Sequence, residues 1–388
     1  MNAMQTLHAD VVIIGAGPAG TTCAALLARK GISVLLCDKA SFPREKICGD
    51  CINPRCWDFF TLLGIADEVA ANSENVTGVK IAGRSGHVLD VPLNNNLSHA
   101  RTAPFIAIKR CKLDSLLLNR AIADGATFQE ATIIESIHYR KGDEDLWQIC
   151  LKKKGNCETF NVSCGILIGA DGRNSRVAKL LHGIDDEDGR LKEASSDRIG
   201  VQCTVKRSDT MSLTVLMVLF DGGYAGIVGV NPTESNVAMV VSRSLARLAL
   251  TDVESFIDNT IHSNQHARNT IPRLEIIGDI RTAFPITPRS NNKHFSSAYL
   301  IGDARHTTEP FTGEGIFFAM QDGVLTAQEV SKSFGFAREG LPLSARNRFW
   351  NNNVFSPILQ RESLTEKVLA LGLRNRGLVK LASKAVFR

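Results

Sequence analysis

A large charge of one sign is absent: in 388 residues, 45 Lys and Arg stand against 40 Asp and Glu, a formal net of +5. So small a surplus leaves no electrostatic footprint for nucleic acid, and no nucleic-acid partner is expected. What surplus there is sits in residues 361–388, where seven basic residues face only Glu362 and Glu366. The ten cysteines lack the dense, regular spacing of a disulfide scaffold, so reduced thiols in a cytoplasmic protein are the expectation. Cys48-x-x-Cys51 has no second Cys/His pair of matching spacing, and no metal is expected there. Met1 to Asp10 shows no basic stretch leading into an apolar core, so no secretory signal is read. No repeat of 20–50 residues is apparent. Long hydrophobic runs are scarce too. Val11 to Ala28 spans 18 residues without a charge, nominally enough to cross a bilayer, but the glycines from Gly15 to Gly20 would break a spanning helix.

What is present is apolar material for a large core, 44% of residues, in a length suited to two or three domains at roughly 150 residues each. Val11–Ile14 reads as a buried strand, Thr21–Lys30 as a helix ended by Gly31, and Ile32–Cys37 as a second buried strand. Together they predict a βαβ unit with parallel strands. Short strands are expected within Val79–Leu93, a helix over Arg110–Asp124, and a meander of Thr132–Tyr139, Trp147–Leu151 and Thr159–Cys164. Buried strands follow at Ile166–Gly169 and Ala298–Ile301, with extended strands between Gly200 and Val241. Two kinds of sheet interleave along the chain, which predicts a domain built from separated segments with another inserted into it.

Gly15-x-Gly17-x-x-Gly20 follows the first strand and opens the first helix. The first glycine permits the tight turn, the second lets backbone approach a pyrophosphate, and the third allows close packing, with Ala19 in the helix's first turn. The helix N-terminus offers N–H groups and a partial positive charge to that pyrophosphate. Asp38 closes the second strand where a carboxylate can bind ribose hydroxyls, with Lys39 beside it. An ADP moiety is expected, of NAD or of FAD.

Three further segments narrow that choice. They are Phe42-Pro43-Arg44-Glu45-Lys46-Ile47-Cys48-Gly49-Asp50, the run Ile166–Ser175 containing Asp171-Gly172, and Gly302-Asp303-Ala304-Arg305-His306 leading to Pro310-Phe311-Thr312-Gly313-Glu314-Gly315-Ile316. With the first glycine turn, and over about residues 10 to 330, they resemble the FAD-dependent oxidoreductases of the para-hydroxybenzoate hydroxylase-like superfamily. Its geranylgeranyl reductases are the most similar in motifs.

The resemblance implies FAD as cofactor. It also implies a glutathione-reductase-type Rossmann α/β domain with an inserted antiparallel β-sheet substrate domain and a C-terminal helical segment. On that basis residues 1–75, 101–180 and 281–330 form the discontinuous FAD-binding domain. Residues 76–100 and 181–280 form the substrate domain, and 331–388 the C-terminal segment. By the same resemblance Arg44 and Arg110 (in Arg110-x-x-Leu113-Asp114) contact the cofactor's phosphate or ribityl region, and Gly49, in the Cys48-Gly49-Asp50 loop, is a further cofactor-binding residue. Asp303 accepts from a ribityl hydroxyl, Pro310 rigidifies the turn at the ring, and Gly313, Gly315 and Ile316 direct N–H groups to its pyrimidine edge. Asp171 belongs to a motif linked to FAD and NAD(P)H, although Ala178 replaces the family's usual arginine.

No second GxGxxG occurs, so NAD(P)H is expected to donate electrons transiently at the surface, or a partner reductase or ferredoxin does so. Cys48, beside the flavin, is the candidate proton donor or packing group. The implied reaction is reduction of C=C bonds in a small hydrophobic substrate. The alternative is a monooxygenase or halogenase working through a flavin hydroperoxide on an aromatic or other small molecule. The paired tryptophans of tryptophan halogenases are absent, since the only tryptophans are Trp57, Trp147 and Trp350. Leu364, Val368, Leu371, Leu378, Leu381 and Val386 alternate with cations in the basic segment, which predicts either peripheral membrane contact or a cap on the substrate domain.

Overall fold

The computed structural model describes residues 7–92, 104–142, 146–155, 158–185, 198–208, 213–250, 252–286, 289–291, 297–308 and 310–337. Val11 to Ile14 are buried on both faces of a sheet, as a run of β-branched residues without polar alternation requires. They end β1 (Leu7–Ile14), which pairs in parallel with β2 (Val34–Cys37). Between them, α1 (Pro18–Ala28) has proline in its first turn and an Ala/Leu-rich body. Gly31, at φ +78°, turns the chain back toward β2.

On the other side of β1 the long strand Thr159–Gly169 forks. Its first part pairs antiparallel with Leu146–Lys153, which pairs with Thr132–Arg140, forming the expected meander. Its last residues, Leu167 to Gly169, pair in parallel with Ala298–Leu300. The parallel portion therefore runs Thr127–Gln129, β2, β1, Thr159–Gly169, Ala298–Leu300. Both faces are covered. Val11, Ile13, Val34 and Leu36 meet α1 and the helices Arg110–Ala123 and Gly315–Ser333. Val12, Ile14, Leu35 and Cys37 meet the meander and the helix Arg176–Asp185.

A second seven-stranded sheet runs Arg281–Ala283, Arg198–Lys206, Glu234–Ser242, Gly223–Gly229, Thr214–Phe220, Gly78–Ala82, Val88–Pro92. It departs from the expected antiparallel sheet in one pairing: Gly78–Ala82 runs parallel to Thr214–Phe220. These strands come from distant segments rather than a hairpin, so no tight turn imposes opposite directions. Arg281–Ala283, which the expected boundaries give to the nucleotide-binding segments, instead hydrogen-bonds to Gly200–Gln202 as the edge strand here.

Strand alternation again divides the faces. Val201, Cys203, Val205, Val237 and Met239 pack under the helices Val253–His262 and Gln265–Thr270. Val79, Val215, Met217 and Val228 face the first lobe. Among the described residues no helix is long and apolar enough to cross a membrane. The C-terminal segment expected over 331–388 is helix as far as Ser333; residues 338–388, including the basic stretch, lie outside the described residues.

Candidate functional site

Parallel strands put their carboxyl ends on one edge, where α/β sheets bind ligands. The turns after β1, Thr159–Gly169 and Ala298–Leu300 therefore meet. Gly15 adopts φ +110°, and a Cβ there would lie 2.2 Å from the Ala170 carbonyl oxygen. On Gly20 it would lie 1.9 Å from the Gly15 carbonyl oxygen. Both glycines are demanded by chain packing alone. Gly17 is different, because its Cβ would meet only Arg44 Nη2, at 3.3 Å. It precedes α1 with no side-chain cap and no acidic residue in the first turn, so the helix's first N–H groups are available to an anion. Gly302, at φ +58°, packs against Ala19, whose Cβ would be 3.0 Å from one added at Gly302. The early glycine turn and the late Gly-Asp turn touch directly.

A basic cluster borders this junction. Arg110 holds Asp114 through two bonds, Nε–Oδ1 at 2.9 Å and Nη2–Oδ2 at 3.0 Å, and Arg44 Nη2 reaches the same carboxylate at 3.0 Å. One fully buried carboxylate is thus shared by two guanidiniums. Arg44 Nε is buried and has no hydrogen-bond partner among the described residues. An orphaned cationic donor, an open glycine and an uncapped helix start together fit the pyrophosphate of a dinucleotide. Lys46, absent from the expected site, joins the cluster. Burial lowers its pKa, Asp303 opposes that, and Arg110 and Arg44 add to it. Asp303, in the turn Gly302–Ala304, is therefore an acidic counterpart within electrostatic reach of Lys46.

The Cys48 loop lies between this cluster and the second sheet. Burial raises the Cys48 thiol pKa against the opposing Arg110 guanidinium, and burial raises Cys51 and Cys56 likewise. Thiols held in this way stay protonated at neutral pH, which suits packing or proton donation rather than thiolate chemistry. Gly49 is exposed, with open space where a side chain would stand. Asp50, also absent from the expected site, sits at φ +57° and is only 4% exposed. Its Oδ1 has no hydrogen-bond partner among the described residues, and burial pushes its carboxyl up to about 7 against the pull of Arg110. The sequence carries the acid beside Cys48-Gly49, but its burial comes only from the fold. Between the lobes, Tyr224 of the second sheet meets Phe311 edge to face at 5.1 Å.

The remaining expected residues divide. Asp38 accepts from the Ala16 N–H at 2.8 Å and the Ala40 N–H at 2.9 Å, tying the glycine turn to the end of β2. Each oxygen keeps a further lone pair, as ribose binding requires. Lys39 is exposed. The Asp171 carboxylate caps the helix Arg176–Asp185, accepting from Ser175 Oγ at 2.5 Å and from the N–H groups of Arg176 and Val177. Its backbone nitrogen borders Gly15. Ala178 is buried in that helix. Pro310 is exposed, and its carbonyl accepts from the N–H of Gly313, which has φ +66°. Gly315 and Ile316 open a helix that no side chain caps.

Comparison with known proteins agrees with this geometry. The chain belongs to the FAD binding domain family, whose model matches residues 8–339. It is 29% identical over 336 residues to the menaquinone reductase of Mycobacterium tuberculosis, covering 82% of this chain and 76% of that one. It is 28% identical over 329 residues to digeranylgeranylglycerophospholipid reductase 1 of Methanothermobacter thermautotrophicus, covering 84% and 77%. The myxobacterial chondrochloren halogenase CndH shares the fold at TM-score 0.74 and 18% identity, over 85% of this chain and 76% of that one. The chain is an FAD-dependent oxidoreductase of the para-hydroxybenzoate hydroxylase-like group, and FAD is its cofactor.

Proposed function

We propose that this FAD binding domain protein reduces carbon–carbon double bonds of a small hydrophobic substrate held between the two lobes. One observation carries the reading: where the lobes meet the surroundings are apolar, since Val79, Val215, Met217 and Val228 of the second sheet, with Tyr224, pack against Cys51, Ala107 and Phe311 of the first lobe. Apolar surroundings of this kind suit an isoprenoid-like chain better than a charged substrate. The two reductases named above support it as relatives.

Gly15, Gly17, Ala19 and Gly20 with Arg44 would hold the pyrophosphate, and Asp38 the ribose. Arg110, Lys46 and Asp303 would line the middle of the cofactor. The helix start at Gly313–Ile316, behind the Pro310 turn, would face the ring. Bound FAD supplies hydride transfer. The chain's own contribution is a proton, held at the Asp50 carboxyl near neutral pH, with the Cys48 thiol beside it. NAD(P)H or an electron-donor protein would reduce the cofactor, and the basic stretch within 361–388 would rest on a membrane surface.

Anaerobic turnover decides the matter. Reduced holoenzyme mixed with polyprenyl substrates in the strict absence of oxygen should be reoxidised as saturated product forms. Oxygen uptake stoichiometric with product, and no reoxidation without oxygen, would replace this reading by an oxygenase or halogenase.

A further inference from the structure

Two polar side chains stand on the face of the second sheet that packs against the first lobe. Gln202 and Asn236 lie diagonally on adjacent strands, since Gln202 pairs with Ala238 and Asn236 with Thr204. They are 6% and 2% exposed. Their strand neighbours Val201, Cys203 and Val237 pack under the helices, so alternation turns the two carboxamides toward the first lobe. There they close a ring with the backbone N–H and C=O of Cys48. The Cys48 N–H donates to Gln202 Oε1 at 3.3 Å, Gln202 Nε2 donates to Asn236 Oδ1 at 2.8 Å, and Asn236 Nδ2 donates to the Cys48 carbonyl oxygen at 2.9 Å. Each carboxamide accepts at its oxygen and donates from its nitrogen, so the bonds on either side of it polarise one another.

The residue held in this way is itself a junction. The Asp50 N–H points at Cys48 Sγ, 3.4 Å away, and the Arg110 guanidinium lies within electrostatic reach of the sulfur. Arg110 is clamped by Asp114, which holds Arg44 beside Gly17. Interactions thus run from the second sheet to the phosphate turn. Apolar residues at 202 and 236 would suit the sheet, but they would leave a peptide N–H and C=O of the loop unsatisfied.

We infer that Gln202 and Asn236 are positioning residues: they set the place of the Cys48–Asp50 loop from the second sheet, acting through the Cys48 peptide. The inference rests on the proposed function only in putting that loop beside bound FAD.

The test is alkylation of Cys48 by iodoacetamide in the holoenzyme, resolved peptide by peptide by mass spectrometry, with the visible flavin spectrum recorded alongside. Gln202→Met and Asn236→Leu should each raise the Cys48 labelling rate about tenfold, the equivalent of roughly one lost hydrogen bond, and shift the flavin band. The double variant should label no faster than the singles, because one break opens the ring. Val237→Ala, on the helix-covered face, should lower thermal stability and leave Cys48 labelling unchanged. Wild-type labelling rates in a folded Gln202→Met or Asn236→Leu protein would overturn the inference, and either variant suffices if the other fails to fold. Protein purified without flavin absorbance would refute the proposed function, while the labelling rates would still decide the ring.

Discussion

Asp50 combines a left-handed backbone with a buried, half-satisfied carboxyl. Each costs free energy, and such costs concentrate where a site uses them. The pH dependence follows from the raised pKa. Below about 4 the carboxyl is neutral in both folded and unfolded chains. Between there and the folded value of about 7 only the unfolded chain ionises, so stability contributed by the neutral form is lost as pH rises. An asparagine at this position would stay neutral throughout and tolerates positive φ. Asp50→Asn should therefore be more stable than the parent at pH 8, with an advantage about 2–3 kcal/mol larger than at pH 5. Urea midpoints at the two pH values measure it; an advantage independent of pH would place the carboxyl's titration elsewhere.

Among the helices, α1 and Gly315–Ser333 cross at Gly323, where a Cβ would lie 2.5 Å from the Ala19 carbonyl oxygen and 3.0 Å from Thr22 Cβ. The same first turn of α1 carries the N–H groups proposed to face the pyrophosphate, so this crossing sets the early glycine turn against the helix that starts at Gly315. Gly323→Ala should lower stability by about 1–3 kcal/mol through overpacking and weaken FAD retention. Gly183, helical and with nothing near its Cβ position, is the control: Gly183→Ala should be neutral or stabilising within about 1 kcal/mol. Thermal melts with flavin quantitation separate the two variants, and equal behaviour would remove the crossing from the account.

At the scale of the whole molecule, the contacts between the lobes include a polar pair and an apolar cluster of very different weight. Lys109 Nζ reaches Glu234 Oε2 at 2.5 Å, but the side chains are 32% and 26% exposed, and such pairs contribute about 1 kcal/mol or less. Met217, buried against Val79, Val215 and Val228 on the face toward the first lobe, carries more. Lys109→Met should change stability by under about 1 kcal/mol, and Met217→Ala should cost about 2–4 kcal/mol. Chemical denaturation of both variants would show the reverse order if the ion pair joined the lobes.

Much of this was legible without coordinates because it is local. The alternation-free run Val11–Ile14, the spacing Gly15-x-Gly17-x-x-Gly20 and the strand end at Asp38 each express a constraint on a few consecutive residues. The amino-acid sequence by itself therefore determined the βαβ unit, the glycine turn and, through the resemblance its four motifs carry together, the flavin class. The fork of Thr159–Gly169, the parallel pairing of Gly78–Ala82 and the capping duty of Asp171 depend on which distant segment lies alongside. So do the burial of Asp50, the shared Asp114 and the ring through Gln202 and Asn236. Those the tertiary structure alone decided, because desolvation and hydrogen-bond partnership belong to neighbours in space, and a chain's linear order does not specify them.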